Sequence, residues 1–303
     1  GAFSGSILLD TVKTPVKGIL AADGTFTGSV SRPDPLEPLV FTLKLDVISN
    51  RMVATASDSA NSYAGILART LDVDSLIRPT PHRGKYTLLT ENNETGPTIP
   101  GGTGFGTMSV TGSGAVSLVG KLGDGTPFMA GSALDSGDNA LLFVKAYSRD
   151  EGYLAGMVAF RVTDTSDATG PMTWHKPPRP NHILYPGGFT TAPSFLATRY
   201  YMPSPPDFYY LNLGVSAMIT VGDKPAKELR DRISAPFSLL APKATGDKTH
   251  VTFDPETGLF RGAFFDGAIR YPLEGALYQY NPARAGGLGF SQNGTVKVSI
   301  SNE

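Results

Sequence analysis

The sequence predicts an all-β, antiparallel fold: meandering hairpins gathered into two or more barrel-like or sandwich lobes, with at most one short helix. Three observations carry this expectation. Of the 303 residues, 35 are Gly and 24 are Pro, and they cut the chain into short pieces. The apolar runs between them are strand-length and bounded by Gly, Asp, Asn or Pro. Asp23-Gly24, Asp124-Gly125 and Asn293-Gly294 are dipeptides that a type I′ hairpin turn prefers, because its central residues need positive φ.

The runs follow in order: Phe3–Leu9, Val16–Leu20, Phe26–Val30, Leu39–Val47, Met52–Ala56 and Tyr63–Ala68. They continue through Tyr86–Leu89, Thr107–Val110, Val116–Leu122, Leu141–Ala146 and Leu154–Val162. The last third adds Leu211–Val221, Phe237–Leu240, Val251–Phe253, Leu259–Phe265, Leu273–Tyr278 and Val296–Ile300. Only Ala226–Ile233 reads as helical, with Asp223 placed to cap it and Pro225 suited to a first turn. Ser75–Arg83 and Thr163–Pro171 read as connectors, and Pro177–Pro206 as a long ordered loop wrapped over a sheet. The expected domains are residues 1–80, a first β-meander lobe, and 81–165, a second segment that could complete it. Residues 166–303 then hold the Pro- and aromatic-rich loop and a C-terminal β lobe.

A weak internal repeat runs through these lobes. Gly1-Ala2-Phe3-Ser4-Gly5 and Gly258-Leu259-Phe260-Arg261-Gly262 share a Gly-x-Phe-x-Gly start. Phe3 precedes Gly18 by fifteen residues, Phe260 precedes Gly275 by fifteen, and Phe105 precedes Gly120 by fifteen. The spacing predicts one hairpin design used three times, in which an aromatic ring covers the bare backbone of a strand glycine on its neighbour.

Composition excludes several classes of function. With 26 Lys+Arg against 27 Asp+Glu the net charge is −1, so no global field draws in nucleic acid or an anionic membrane. Hydrophobic residues make up 40% and charged ones 17%, enough apolar content for a sizeable core and too little charge for disorder. The absence of Cys removes disulfides, zinc–thiolate sites, iron–sulfur clusters and thiol nucleophiles. No apolar stretch approaches the ~20 residues of a helical membrane span. The chain opens at Gly1-Ala2-Phe3, already within a strand, and reads as a segment of a longer polypeptide.

Gly84–Leu89, Gly102–Val110, Gly114–Thr126 and the strands of Leu141–Phe160 together form a recognisable pattern. It continues with Gly170–Pro177, Tyr185–Phe189 and Gly258–Ile300. The pattern resembles β-rich modules toward the C-terminal ends of very large, secreted, multi-domain bacterial surface proteins. The resemblance implies a secreted or cell-surface bacterial setting, neighbouring domains of a larger polypeptide as partners, and an adhesive or structural role. Its motifs are turn and strand glycines, so no catalytic residue is carried over.

The residues that could do chemistry each have a plain structural reading. His82, His175, His182 and His250 lack ligand spacing, and no Gly-x-Ser-x-Gly elbow is present. Asp254, Glu256, Asp266 and Glu274 could supply a glycosidase pair, but Asp254-Pro255-Glu256-Thr257-Gly258 reads as a turn. Asp164 and Asp167 head an oxygen-rich run that suggests calcium, without the bidentate Glu of an EF-hand. The strongest binding candidate is aromatic: Trp174, Tyr185, Phe189, Tyr200, Tyr201, Phe208, Tyr209 and Tyr210, interleaved with Arg179 and Arg199. Such rings stack on sugars or capture peptides; alternatively they anchor the Pro-rich loop. The expectation is therefore a non-catalytic β module without a cofactor. The alternative is carbohydrate binding through Trp174, Tyr185, Arg199, Tyr200, Tyr201, Tyr209 and Tyr210, with or without hydrolytic activity.

Overall fold

Short apolar runs that end in Gly, Asp or Pro pair with their sequence neighbours, and the computed structural model is accordingly a series of antiparallel meanders. It describes residues 1–9, 12–32, 34–46, 48, 51–68, 79–92, 94, 96–147, 152–202, 216–232, 235–280, 284–291 and 294–302. Among the described residues the only helical piece is a 3-10 turn at Lys243–Thr245, and no helix is long and apolar enough to cross a membrane. The chain divides into two compact units, Gly1–Asp72 with Asp135–Gly137, and Val73–Leu134 with Asp138–Glu303.

In the first unit β1 (Ala2–Leu9) pairs with β2 (Val12–Ile19). A four-stranded meander follows, of β3 (Thr25–Val30), β4 (Leu39–Asp46), β5 (Arg51–Ser57) and β6 (Ser62–Ala68). Alternation along β4 buries Leu39, Phe41 and Leu43 on one face. Phe3 and Phe26 complete that small core, their rings edge to face at 4.8 Å.

The second unit holds two barrels. The first runs through β7 (Gly84–Glu91), β8 (Gly104–Val110), β9 (Ala115–Lys121), β10 (Pro127–Ala133), β11 (Asn139–Ala146), β12 (Gly152–Ala159), β13 (Ala168–Lys176), β14 (Phe189–Thr191) and β15 (Ser194–Arg199). Its sheet order is β10-β9-β8-β7-β15-β13-β12-β11, and a single bridge, Leu134 to Ala140, draws the two ends together. The second is a closed barrel of eight strands: β16 (Ser216–Val221), β17 (Lys227–Arg232), β18 (Ala235–Leu240), β19 (His250–Phe253), β20 (Leu259–Asp266), β21 (Ile269–Tyr278), β22 (Arg284–Ser291) and β23 (Gly294–Asn302). Closure removes its edges. Ile219, Leu229, Val251, Phe260, Phe264 and Val298 fill it.

The two barrels share a buried apolar seam of Leu89 and Phe105 from the first against Ala276, Tyr278 and Leu288 from the second. Backbone approach is close there: Thr103 N–H donates to Gly287 O at 3.1 Å. Polar contacts rim the seam, with Arg284 on Glu91 at 2.8 Å, Lys121 on Glu274, and the Tyr278 hydroxyl donating to Thr165 O at 2.7 Å.

Four expectations change. First, the helix expected over Ala226–Ile233 is absent among the described residues of that stretch. Lys227–Arg232 is strand β17, paired with β16 and β18. Helical propensity over this mostly polar stretch yields to the cross-strand hydrogen bonds needed to close the barrel, with Leu229 pointing inward and fully buried. Second, the sheet runs across residue 165: β13 and β15 pair with β12 and β7, so 168–199 completes the first barrel. Part of the Pro-rich loop is thereby strand.

Third, two copies of the repeat have the predicted register, Phe3 opposite Gly18 and Phe260 opposite Gly275, each ring lying where the glycine's Cβ would be. The third does not: Phe105 faces Lys121, and Gly120 is covered by Phe128 from β10 instead. A shift of one residue puts Phe105 and Gly120 on opposite faces. Fourth, the Asp-Gly turns are not type I′. Gly24 and Gly125 take φ of 79° and 86°, but Asp23 and Asp124 keep negative φ. Each Asp carboxylate instead accepts the N–H two residues on, Thr25 and Thr126, at 3.0 Å. Asn293 lies outside the described residues.

Gly275→Ala would drive a methyl into the Phe260 ring and Gly286 O; thermal denaturation should report a loss of about 1–3 kcal/mol. Gly131→Ala on β10 meets nothing closer than an ordinary contact and should stay within about 0.5 kcal/mol of wild type. In the first unit, Asp58 accepts N–H bonds from Ala60 and Asn61 and an Arg32 N–H at 2.6 Å. These bonds hold its pKa at about 2 against the ordinary 3.8. That contribution is complete above 3.8 and fades as the pH falls through about 2. The melting difference between wild type and Asp58→Asn should be constant at neutral pH and close under acid.

Candidate functional site

The aromatic cluster is folded inward. Trp174 is on β13 and 2% exposed. Its ring meets Phe189 edge to face at 4.7 Å, and Phe189 meets Tyr185 the same way at 5.8 Å. Tyr185 takes φ of 53°, a strained conformation for a residue with a Cβ, and its phenol is thereby directed into the protein. Its oxygen accepts the Thr295 N–H at 3.0 Å and shares a 3.2 Å hydrogen bond with Thr295 Oγ1, on the β22–β23 hairpin of the second barrel. Tyr200 is also buried and donates to Pro255 O at 2.6 Å; burial pushes its phenol up to about 12. Trp174, Tyr185 and Tyr200, which the alternative reading would place in an open groove, therefore face other parts of the protein.

Arg199 and Tyr201 flank this arrangement. Arg199 lies over the Tyr86 ring at 5.9 Å, donates to the Tyr86 hydroxyl at 3.3 Å and also reaches Pro81 O. Tyr201 is 67% exposed, and its backbone is held by a two-way amide pairing with Gln279. Phe208, Tyr209 and Tyr210 lie outside the described residues.

The oxygen-rich run places Asp167 under the end of β15. Its Oδ2 accepts the Arg199 N–H at 2.7 Å and the Thr198 hydroxyl at 3.2 Å. Asp164 sits in an exposed turn whose N–H groups are taken up by Thr163 Oγ1. Among the described residues no group of three or more His, Asp or Glu side chains is placed to hold a metal ion. Three of the four carboxylates near the C-terminus are engaged separately. Asp254 caps its own turn through Glu256 N and Thr257 Oγ1, Glu274 pairs with Lys121, and Asp266 lies 3.8 Å from Lys224.

One constellation was not singled out from the sequence. Lys176, at the end of β13, is 2% exposed and its ammonium is 3.5 Å from Asp124 Oδ2. Asp124 is on the β9–β10 turn. Its Oδ1 accepts Thr126 N–H, and its Oδ2 accepts the Tyr147 hydroxyl at 2.8 Å. Tyr147, with φ of 71°, in turn accepts the Trp174 indole N–H at 3.1 Å. Lys176 also donates to Leu184 O at 2.8 Å and lies 5.0 Å and 5.6 Å from the ring centres of Tyr147 and Tyr185. Burial pushes the Lys176 ammonium down, against the opposing pull of Asp124. Burial also raises the Tyr147 phenol, so it stays protonated and donates. The only signal for this knot in the sequence was Asp124-Gly125 as a turn; nothing local links residue 124 to residue 176.

Tyr185→Phe deletes the hydroxyl that receives Thr295 N–H while keeping the ring. Urea denaturation should show a loss of about 1–3 kcal/mol, the cost of leaving a buried donor without its partner.

No known family profile and no curated protein matches the chain. Among solved structures, the endo-1,5-alpha-L-arabinanase from Thermotoga petrophila RKU-1 is 9% identical, with 94% of this chain and 83% of that chain covered at a TM-score of 0.26. Intact Ap-TbpB, with its N and C lobes, is 11% identical over 86% of this chain and 66% of that one, at a TM-score of 0.18. The likeness extends to β-rich architecture and carries no functional argument.

Proposed function

We propose that the chain is a non-catalytic β module of a secreted or surface-displayed bacterial protein, acting as an adhesive or spacing element. The observation that carries this reading is the use made of the aromatic cluster. Trp174, Tyr185 and Tyr200, the rings best suited to ligand stacking, are buried. The phenols of Tyr185 and Tyr200 hydrogen-bond across to the second barrel. A tandem of barrels joined by an apolar seam and by such bolts transmits load between neighbouring domains without hinging. The close-packed seam at Leu89, Phe105, Tyr278 and Leu288 supports a rigid link rather than a mobile one.

Glycan recognition is the second reading, and the structure offers it a different surface. Lys145, Tyr153, His175 and Thr190 lie in one cross-strand row on β11–β14, with Phe143 stacked beside Tyr153 at 5.7 Å. Phe143 and Lys145 are exposed and Tyr153 and His175 half-buried.

Trp174→Ala decides between a packing and a binding role for the original cluster. It should cost about 3–5 kcal/mol in thermal denaturation and leave the glycan-array profile of the protein unchanged. Array binding by wild type that disappears in Trp174→Ala at an unchanged melting temperature would overturn the structural role. Array binding lost instead in Tyr153→Ala would favour the outer row.

A further inference from the structure

We propose that Lys176 and Asp124 are a modification site, condensing within the folded protein to an intramolecular amide that ties the β9–β10 turn to the end of β13. The inference is independent of the reading above and rests on three features of the buried knot.

The first is proximity. Lys176 Nζ stands 3.5 Å from Asp124 Oδ2, and both side chains are 2% exposed. Two reactants held in such contact react with an effective molarity far above any solution concentration. The second is the surrounding medium. The rings of Tyr147 and Tyr185 flank the ammonium, and burial beside them favours the neutral, nucleophilic amine over the ammonium. The third is the set of donors aimed at the carboxyl. Thr126 N–H reaches Oδ1 at 3.0 Å and the Tyr147 hydroxyl reaches Oδ2 at 2.8 Å. Both oxygens that carry charge in a tetrahedral intermediate are therefore already hydrogen-bonded. Tyr147 is itself positioned by the Trp174 indole N–H.

The step balances without a co-reactant. A proton passes from the Lys176 ammonium to the Asp124 carboxylate, leaving an amine and a carboxylic acid. The Nζ lone pair attacks Cγ, a second nitrogen proton moves to the oxygen that already carries the first, and that oxygen departs as water. The C–O bond breaks, the Nζ–Cγ bond forms, and no oxidation occurs. Reversal requires water to reach two side chains that are each 2% exposed and flanked by Tyr147, Tyr185 and Leu184. A chain without Cys has no disulfide with which to staple its strands; this amide would be its covalent equivalent and would act on the unfolded chain in the same way.

A competing reaction loses the same water. Asp124 precedes Gly125, and attack by the Gly125 nitrogen on Cγ gives a succinimide. Here, however, Gly125 N–H is committed to Leu122 O at 2.8 Å, which holds that nitrogen in the turn.

The test is the intact mass of the purified full chain under denaturing conditions, followed by peptide mapping. The expected result is a mass one water below that of the sequence, and a branched peptide joining the fragments that carry residues 124 and 176. Lys176→Arg and Asp124→Ala should both show the full sequence mass. A wild-type chain at full mass overturns the proposal, whether or not the variants fold. So does a water loss that maps to a linear peptide containing Asp124-Gly125 and is cleaved by hydroxylamine.

Discussion

A lysine and an aspartate buried together set the terms for the second unit. Removing each charge from water costs several kcal/mol even after relaxation, and a mutual attraction offsets this only when the remaining donors and acceptors are satisfied. The structure meets that condition with groups from three separate stretches of chain. Thr126 N–H and the Tyr147 hydroxyl serve Asp124, and Leu184 O and two ring faces serve Lys176. Leu184 and Tyr185 belong to the loop between β13 and β14, so that loop must lie over the knot. Tyr185, once there, reaches Thr295 of the second barrel. The polar requirement of one buried pair thus orders a loop and fastens two barrels.

The apolar seam supplies the complementary part. Glycines let the barrels approach at backbone distance. A Cβ on Gly286 would press on Leu89, and one on Gly102 would strike Leu288 and Gly123 O. Elsewhere a glycine's missing side chain is replaced by a ring from the facing strand, as at Gly18, Gly120 and Gly275. Both uses turn a residue that weakens strands into one that packs them. The abundance of Gly and of Phe in this chain is therefore one feature rather than two.

Aromatic density invites a functional reading because stacking platforms and packing cores draw on the same residues. What separates them is the direction of each ring. Here a positive φ at Tyr185 and Tyr147 and the inward face of β13 at Trp174 send the rings toward the protein interior. Backbone strain of this sort persists only where the surroundings over-determine it, and at both tyrosines the hydroxyl sits in a network of buried partners. The outer surface keeps a different and smaller set, around Phe143, Tyr153 and His175.

Composition and local pattern by themselves determined that the chain is all-β, that it meanders through antiparallel hairpins, and where most strands lie. Alternation and turn chemistry act over a few residues, so they can be read from a few residues. The same locality made the Phe3–Gly18 and Phe260–Gly275 pairs legible, since each lies within one hairpin. It failed at Phe105, where the β8–β9 hairpin itself pairs Phe105 with Lys121, one residue from the expected register, and at Lys227–Arg232, where barrel closure outweighs helical propensity. Tertiary structure alone decided which aromatics are buried and that residue 124 meets residue 176, because those outcomes depend on which strands close against one another. No spacing rule links side chains brought together by the curvature of a sheet and the course of a loop.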